Sequence, residues 1–188
     1  MKKQNLKRLC VSALFIALGV VLSELIPSIT LPFGGSVTLF SMVPVCLIAI
    51  AFGTKWGVFS GLVYGVIQLM FGLGNVTYAW GISAVAGIAV LLLDYIVAYA
   101  VMGFAGVFKD TVKNPMLAAI LGVILALLLR FVCHFITGVT VWREIADTLG
   151  AIWYSITYNG AYMLPEIIIT PIGVALLIKA KVLTFLEK

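Results

Sequence analysis

The sequence predicts an all-α integral membrane protein, a bundle of six transmembrane helices with both termini in the cytoplasm. Three observations lead to this prediction. Of the 188 residues, 63% are hydrophobic and 10% are charged, with a mean hydropathy of +1.21, whereas soluble domains carry roughly 25% charged residues. The apolar residues fall into six long segments, and the lysines lie between or beyond those segments.

The six apolar segments are expected to be the helices of one membrane domain that covers residues 1-188. A helix needs about 20 apolar residues to cross a bilayer. The first segment is expected to be a retained helix rather than a signal peptide, because no A-x-A site closes it. The six segments run over approximately 9–26, 38–53, 56–72, 82–107, 116–140 and 152–178.

The positive charges indicate the orientation of this bundle. With six helices, every connection that contains lysine falls on the same side as the two termini. The connections over 27–37, 73–81 and 141–151 fall on the other side, where Arg143 is the sole base. Because cytoplasmic loops are rich in lysine and arginine, both termini are predicted to be cytoplasmic. The net charge of +5 is therefore explained by topology, and no nucleic-acid partner is expected.

Several kinds of chemistry have no support in the sequence. Cys10, Cys46 and Cys133 fall inside apolar segments without C-x-x-C spacing, and His134 is the single histidine, so neither a disulfide nor a metal site is expected. No P-loop motif is present, so any energy for active transport must come from a partner or an ion gradient.

Polar side chains within the apolar segments predict a binding site, because such groups are costly in hydrocarbon. Arg130 and His134 are four residues apart, on one face of a helix, and Trp142 lies two turns further along the chain. Asp94 lies about 18 Å from the outer end of its helix at 1.5 Å per residue. Its partner is either Arg130, in a permanent ion pair, or a bound cation.

The last segment and the first loop add further candidates. Asn159, Tyr162 and Glu166 share one helical stripe, whereas Tyr154 and Asn159 are about 140° apart on an ideal helix. Asp94, His134 and Asn159, together with the phenol and indole rings, suit a compact, positively charged aromatic ligand. The loop over 27–37 contains Gly34-Gly35 and is either a substrate-binding loop or a solvated linker.

Catalysis is the competing class of function. Gly81-Ile-Ser83 resembles the Gly-x-Ser of rhomboid-type intramembrane serine proteases, with His134 as a conceivable base. The pattern is weak in a glycine-rich chain, and Ser83 is expected at the outer end of its helix, above the level of His134. The sequence therefore favours a protein that is not an enzyme.

Four motifs, LPFGGSV, LLLDYIVAY, LLRFVCHFITGVTVW and WYSITYNGAYMLP, together resemble the thiamine-specific substrate-binding subunits of energy-coupling factor vitamin transporters, the ThiT/YuaJ-like family. The resemblance spans nearly the whole chain. It implies a protein of a bacterial-type cell membrane that binds thiamine with high affinity from the outside. Trp142 would stack on the aminopyrimidine. The substrate-binding residues that the resemblance implies are Gly35, Ser36, Asp94, Tyr95, His134, Trp142, Tyr154 and Asn159.

The same resemblance implies partners and a mechanism. Ala13 and Ala17 match a small-residue surface that docks on the transmembrane coupling subunit EcfT, which works with two ATPase subunits. The loaded subunit would tilt in the membrane to release thiamine inside. Asp94 stands where a glutamate is expected, and Gly34-Gly35-Ser36 stands where some members have a tryptophan. A related vitamin such as pyridoxine, a thiamine precursor, and a gradient-driven carrier remain alternatives.

Overall fold

The computed structural model describes residues 3–31, 36–142 and 150–187. In these ranges the chain forms eight helices and a two-stranded antiparallel sheet, in which β1 (Ile29–Thr30) pairs with β2 (Ser36–Val37). The helices are α1 (Lys3–Glu24), α2 (Val43–Phe52), α3 (Thr54–Phe71), α4 (Leu73–Ile82), α5 (Ala84–Gly106), α6 (Pro115–Thr140), α7 (Gly150–Lys179) and α8 (Val182–Glu187).

Helices α1, α5, α6 and α7 are each long and apolar enough to cross a membrane, and α3 with α4 makes a fifth crossing if that bent pair is one span. These numbers refer to the described parts of the chain. The predicted all-α, multi-pass architecture is thus confirmed. Helix α2 has ten residues and a length of about 15 Å, half the thickness of the hydrocarbon layer.

The segment predicted over 38–53 forms a shorter helix because its two ends have other conformations. The strand β2 and a turn precede α2, and Pro44 lies in the first turn of α2, where its missing N–H has no cost. Gly53 ends the helix with φ of +91°, a value that glycine adopts without strain. Nine of the ten α2 residues are buried, so this short helix lies at the centre of the core.

Helices α3 and α5 approach each other closely through the glycines of α3. A Cβ atom on Gly61 would overlap the carbonyl oxygen of Tyr99, and Gly65 also faces the α5 backbone, whereas Gly57 lies between Ala49 of α2 and Gly103 of α5. The four-residue spacing places these glycines on one smooth face of α3, which permits the close approach.

The connection predicted over 73–81 is helical, which corrects the sequence-based interpretation. Helix α4 begins directly after Gly72, and the chain bends by 74° between α3 and α4. The stretch contains no proline, and Val76 and Ala79 pack against Ala86 and Val90 of α5. This apolar contact stabilises a helix where the polar residues of the sequence suggested a loop.

The lysines of the described chain lie at one end of the bundle. Lys7 Nζ donates to the carbonyl oxygen of Leu186 at 2.8 Å, and Lys109 Nζ donates to that of Ala51 at 2.8 Å. The start of α1, the end of α2 and helix α8 therefore meet at this end. The opposite end carries the end of α1, the β-sheet, the end of α6 and the start of α7.

Candidate ligand-binding site

A cavity of about 630 Å³ opens at the end of the bundle opposite the lysines. It lies between the end of α1, the β-sheet, α3, α5, α6 and α7, and polar and aromatic side chains make up most of its wall. Gly35 lies outside the described residues. All the other predicted substrate-binding residues line this cavity: Ser36, Asp94, Tyr95, His134, Trp142, Tyr154 and Asn159.

Asp94 lies in the only π-helical stretch of the described chain, Val90–Val97 within α5, and such wide turns are frequent at functional sites. Its Oδ1 atom is 2.9 Å from His134 Nδ1 and accepts a hydrogen bond of 2.6 Å from Thr137 Oγ1. The side chain is 14% exposed. Both contacts use Oδ1, so Oδ2 remains available to a ligand.

Arg130 does not form the ion pair with Asp94 that the sequence offered as one alternative. Its Nη1 donates to Met42 Sδ at 2.9 Å, and its guanidinium carbon lies 4.1 Å from the centre of the Tyr99 ring. Within the described ranges no carboxylate, Glu166 included, is within ion-pairing distance of it. The guanidinium is instead stabilised by the electron-rich face of the tyrosine ring.

His134 has one satisfied and one unsatisfied nitrogen. Nδ1 contacts Asp94, whereas Nε2 is buried without a hydrogen-bond partner among the described residues. A buried polar atom in this state costs free energy, and a ligand with a complementary donor or acceptor would remove that cost. The ring also meets the edge of Tyr162, with centroids 6.0 Å apart.

Asn159 connects α7 to α6. Its Nδ2 donates to the His134 carbonyl oxygen and to Ser155 Oγ, both at 3.1 Å, and its Oδ1 accepts from Tyr162 Oη at 2.6 Å. The carboxamide is 4% exposed. Asn159 therefore fixes the position of the His134 backbone and the Tyr162 ring at the cavity wall.

Aromatic rings line the outer part of the cavity. Tyr154 and Tyr158 stack with centroids 5.5 Å apart and an interplanar angle of 14°, and Tyr158 meets Tyr162 edge-on at 5.8 Å. Trp142 stacks on Tyr78 of α4 at 5.8 Å and 16°. Tyr78 covers one face of the indole, so only its other face can stack on a ligand.

Tyr95 lines the cavity, but its hydroxyl group contacts the bend between α3 and α4. It donates to the Gly72 carbonyl oxygen at 3.1 Å and accepts from Asn75 Nδ2 at 3.2 Å. A Cβ atom on Gly72 would overlap the tyrosine ring. The residue next to Asp94 thus holds the bend in place.

Thr137 is a site residue that sequence reasoning missed. Its position three residues after His134 places both side chains on one face of α6. This spacing was the sequence signal that could have identified Thr137. The hydroxyl group donates to Asp94 Oδ1 at 2.6 Å, and its oxygen also lies 3.0 Å from the His134 carbonyl oxygen.

Ser83 does not share the cavity with His134. It lines a separate cavity of about 210 Å³, and its hydroxyl oxygen accepts from the Ala86 N–H at 3.1 Å as the N-cap of α5. Ala13 and Ala17, predicted to dock on a partner, are exposed on α1. No group of three or more metal-ligating side chains occurs in the ranges that the structure covers.

Comparisons with known proteins match nearly the whole chain. The family model described as thiamine transporter protein (Thia_YuaJ) matches residues 9–186. The chain is 32% identical over 187 residues to the thiamine transporter ThiT of Bacillus subtilis, covering 94% of this chain and 92% of that protein. It is 24% identical over 160 residues to ThiT of Lacticaseibacillus paracasei, covering 79% and 76%.

A solved structure of ThiT from Listeria monocytogenes matches with a TM-score of 0.72 and 28% identity, covering 95% of this chain and 96% of that one. These matches confirm the family resemblance of the four motifs. They also confirm the prediction of a transport protein rather than a protease. The chain belongs to the thiamine transporter family.

Proposed function

We propose that this protein is a thiamine-binding membrane subunit that captures the vitamin in the cavity between α5, α6 and α7. One observation carries the proposal: the seven described residues that the family resemblance implied all line a single cavity of about 630 Å³. That volume is within the usual range of small-molecule sites, about 300–1,000 Å³.

The charge of the cavity supports a cationic ligand. Asp94 Oδ2 has no hydrogen-bond partner among the described residues, and Arg130 contacts Tyr99 and Met42 instead of neutralising the carboxylate. The thiazolium ring of thiamine carries a permanent positive charge. Asp94 would supply its counter-charge, because an ionised carboxylate at this depth is stabilised by an opposite charge nearby.

The aromatic and polar groups support recognition of the other ring. The free face of Trp142 would stack on the aminopyrimidine, with Tyr154 on the neighbouring wall. His134 Nε2, which lacks a partner among the described residues, would form a hydrogen bond with the ring. Ser36 and Asn159 complete the wall, and Gly35 and Tyr95 belong to the same proposed substrate-binding set.

The lysine distribution supports a specific orientation in the cell membrane. We propose six membrane crossings with both termini in the cytoplasm, so that the lysine-rich end faces inward and the cavity opens outward. The sheet of β1 and β2 then lies towards the outer surface. Ala13 and Ala17 would dock on the coupling subunit EcfT, whose two ATPase subunits drive tilting and release.

Titration of purified protein with thiamine, followed by tryptophan fluorescence, tests the ligand. The Trp142 indole in the cavity wall is expected to give saturable quenching at or below micromolar thiamine, and pyridoxine serves as the comparison ligand. Absence of saturable quenching by thiamine would refute the thiamine proposal, and tighter binding of pyridoxine would reassign the site.

The source of energy needs a separate experiment. Thiamine uptake into membrane vesicles is expected only when EcfT and the two ATPase subunits are present together with ATP. Uptake that persists without any ATPase subunit would indicate a gradient-driven carrier.

A further inference from the structure

Glu166 is a buried carboxylate in the cavity wall that no predicted role explains. It is 4% exposed and belongs to α7, seven residues after Asn159. A carboxylate this deep is costly unless it is hydrogen-bonded or paired. Its partners therefore indicate what it does.

Both oxygens of Glu166 are already used by neighbouring threonines. Oε1 accepts from the Thr38 backbone N–H at 2.8 Å and from Thr38 Oγ1 at 2.9 Å, whereas Oε2 accepts from Thr170 Oγ1 at 3.3 Å. Thr38 Oγ1 is also 2.5 Å from Ser41 Oγ. The two shorter hydrogen bonds to Glu166 both come from Thr38. The carboxylate therefore binds Thr38 rather than a ligand.

Thr38 lies between the strand β2 and helix α2, directly after the cavity-lining residue Ser36 and the buried Val37. Its N–H belongs neither to the sheet nor to a helix, and Glu166 is the partner that satisfies it. The contact joins residues 128 apart in the chain. It fixes the end of β2 against α7, the same helix that carries Tyr154 and Asn159.

We propose that Glu166 is a positioning residue that anchors β2 to α7 and so holds Ser36 in the wall of the binding cavity. The expected effect of Glu166 on ligand binding rests on the proposed thiamine function. Glu166 does not contact the ligand; it keeps two walls of the cavity, β2 and α7, at a fixed separation. Its loss is expected to accelerate ligand dissociation, because the β2 wall would no longer be held against the occupant.

Hydrogen exchange without ligand tests the anchor, and thiamine dissociation rates test its consequence. Glu166→Ala is expected to raise amide exchange over residues 36–42 about tenfold or more, because hydrogen bonds to charged acceptors are among the stronger ones. Thiamine dissociation should accelerate about tenfold. Glu166→Gln, which keeps one acceptor oxygen for the Thr38 N–H, should give intermediate values.

Thr170→Val is the matched control, because it removes a hydrogen bond from the same carboxylate without touching β2. It should leave both rates within about twofold of wild type. Unchanged rates in Glu166→Ala, or equal changes in Thr170→Val and Glu166→Ala, would overturn the anchor. Where Glu166→Ala does not fold, Thr38→Val replaces it in the same comparison, and rates equal to those of Thr170→Val would overturn the proposal.

The hydrogen-exchange and thiamine-dissociation measurements separate this inference from the proposed function on which it rests. If wild-type protein does not bind thiamine, the proposed function fails, while the exchange measurement without ligand still decides whether Glu166 anchors β2. If wild-type protein binds and the exchange rates do not change, the anchor alone is refuted.

Discussion

Replacing Asp94 with asparagine removes a negative charge while keeping the shape of the side chain. The asparagine oxygen can still accept from Thr137 Oγ1, which donates to Oδ1 at 2.6 Å, so the local hydrogen bonding can persist. A cation about 5 Å from the lost charge, at an effective dielectric constant of about 20, would lose about 3 kcal/mol. That loss corresponds to roughly 150-fold weaker binding.

The assay compares thiamine with a neutral analogue of the same shape by isothermal titration calorimetry. Asp94→Asn should weaken thiamine binding by about two orders of magnitude and the neutral analogue by less than about tenfold. Glu24→Gln is the matched control, because Glu24 lines the same cavity but is exposed, where water screens its charge. Equal losses for the two ligands would refute the counter-charge role and make Asp94 a structural partner of His134 and Thr137.

Three further changes test other parts of the structure. Gly72→Ala should lower the melting temperature, because the added Cβ would overlap Tyr95; an unchanged value would contradict the packing at the bend. Arg130→Lys should reduce thermal stability by about 1 kcal/mol through loss of the stacked guanidinium and leave thiamine affinity within about threefold; a large affinity loss would show that Arg130 contacts the ligand. Replacing Ala13 and Ala17 with leucine should preserve thiamine binding and abolish uptake in reconstituted vesicles; unchanged uptake would remove this surface from partner docking.

Much of the site could be predicted because ionisable residues are rare in membrane helices. Asp94 and His134 stood out against apolar neighbours, and the structure places them 2.9 Å apart. The helical spacing of α7 also placed Asn159 and Tyr162 on one stripe, and they share a hydrogen bond of 2.6 Å. These predictions depended only on helix periodicity and on the cost of burying polar groups.

Contacts between distant segments could not be predicted in the same way. The sequence offered Arg130 the carboxylate of Asp94, but the guanidinium contacts the Tyr99 ring, because helix α5 brings that ring within 4.1 Å. The helical α4 was likewise decided by packing against α5, and α2 is short because β2 precedes it and Gly53 ends it. Glu166 was noticed from the sequence, whereas its bonds to Thr38 depend on how β2 meets α7.

The contact between Gly72 and Tyr95 has an evolutionary consequence. The tyrosine ring fills the space that a side chain at position 72 would need, and its hydroxyl group bonds the backbone at that position. The two positions are therefore expected to change together among thiamine transporters. Relatives with a side chain at position 72 should carry a residue smaller than tyrosine at position 95. An alignment of many family sequences would reveal this covariation.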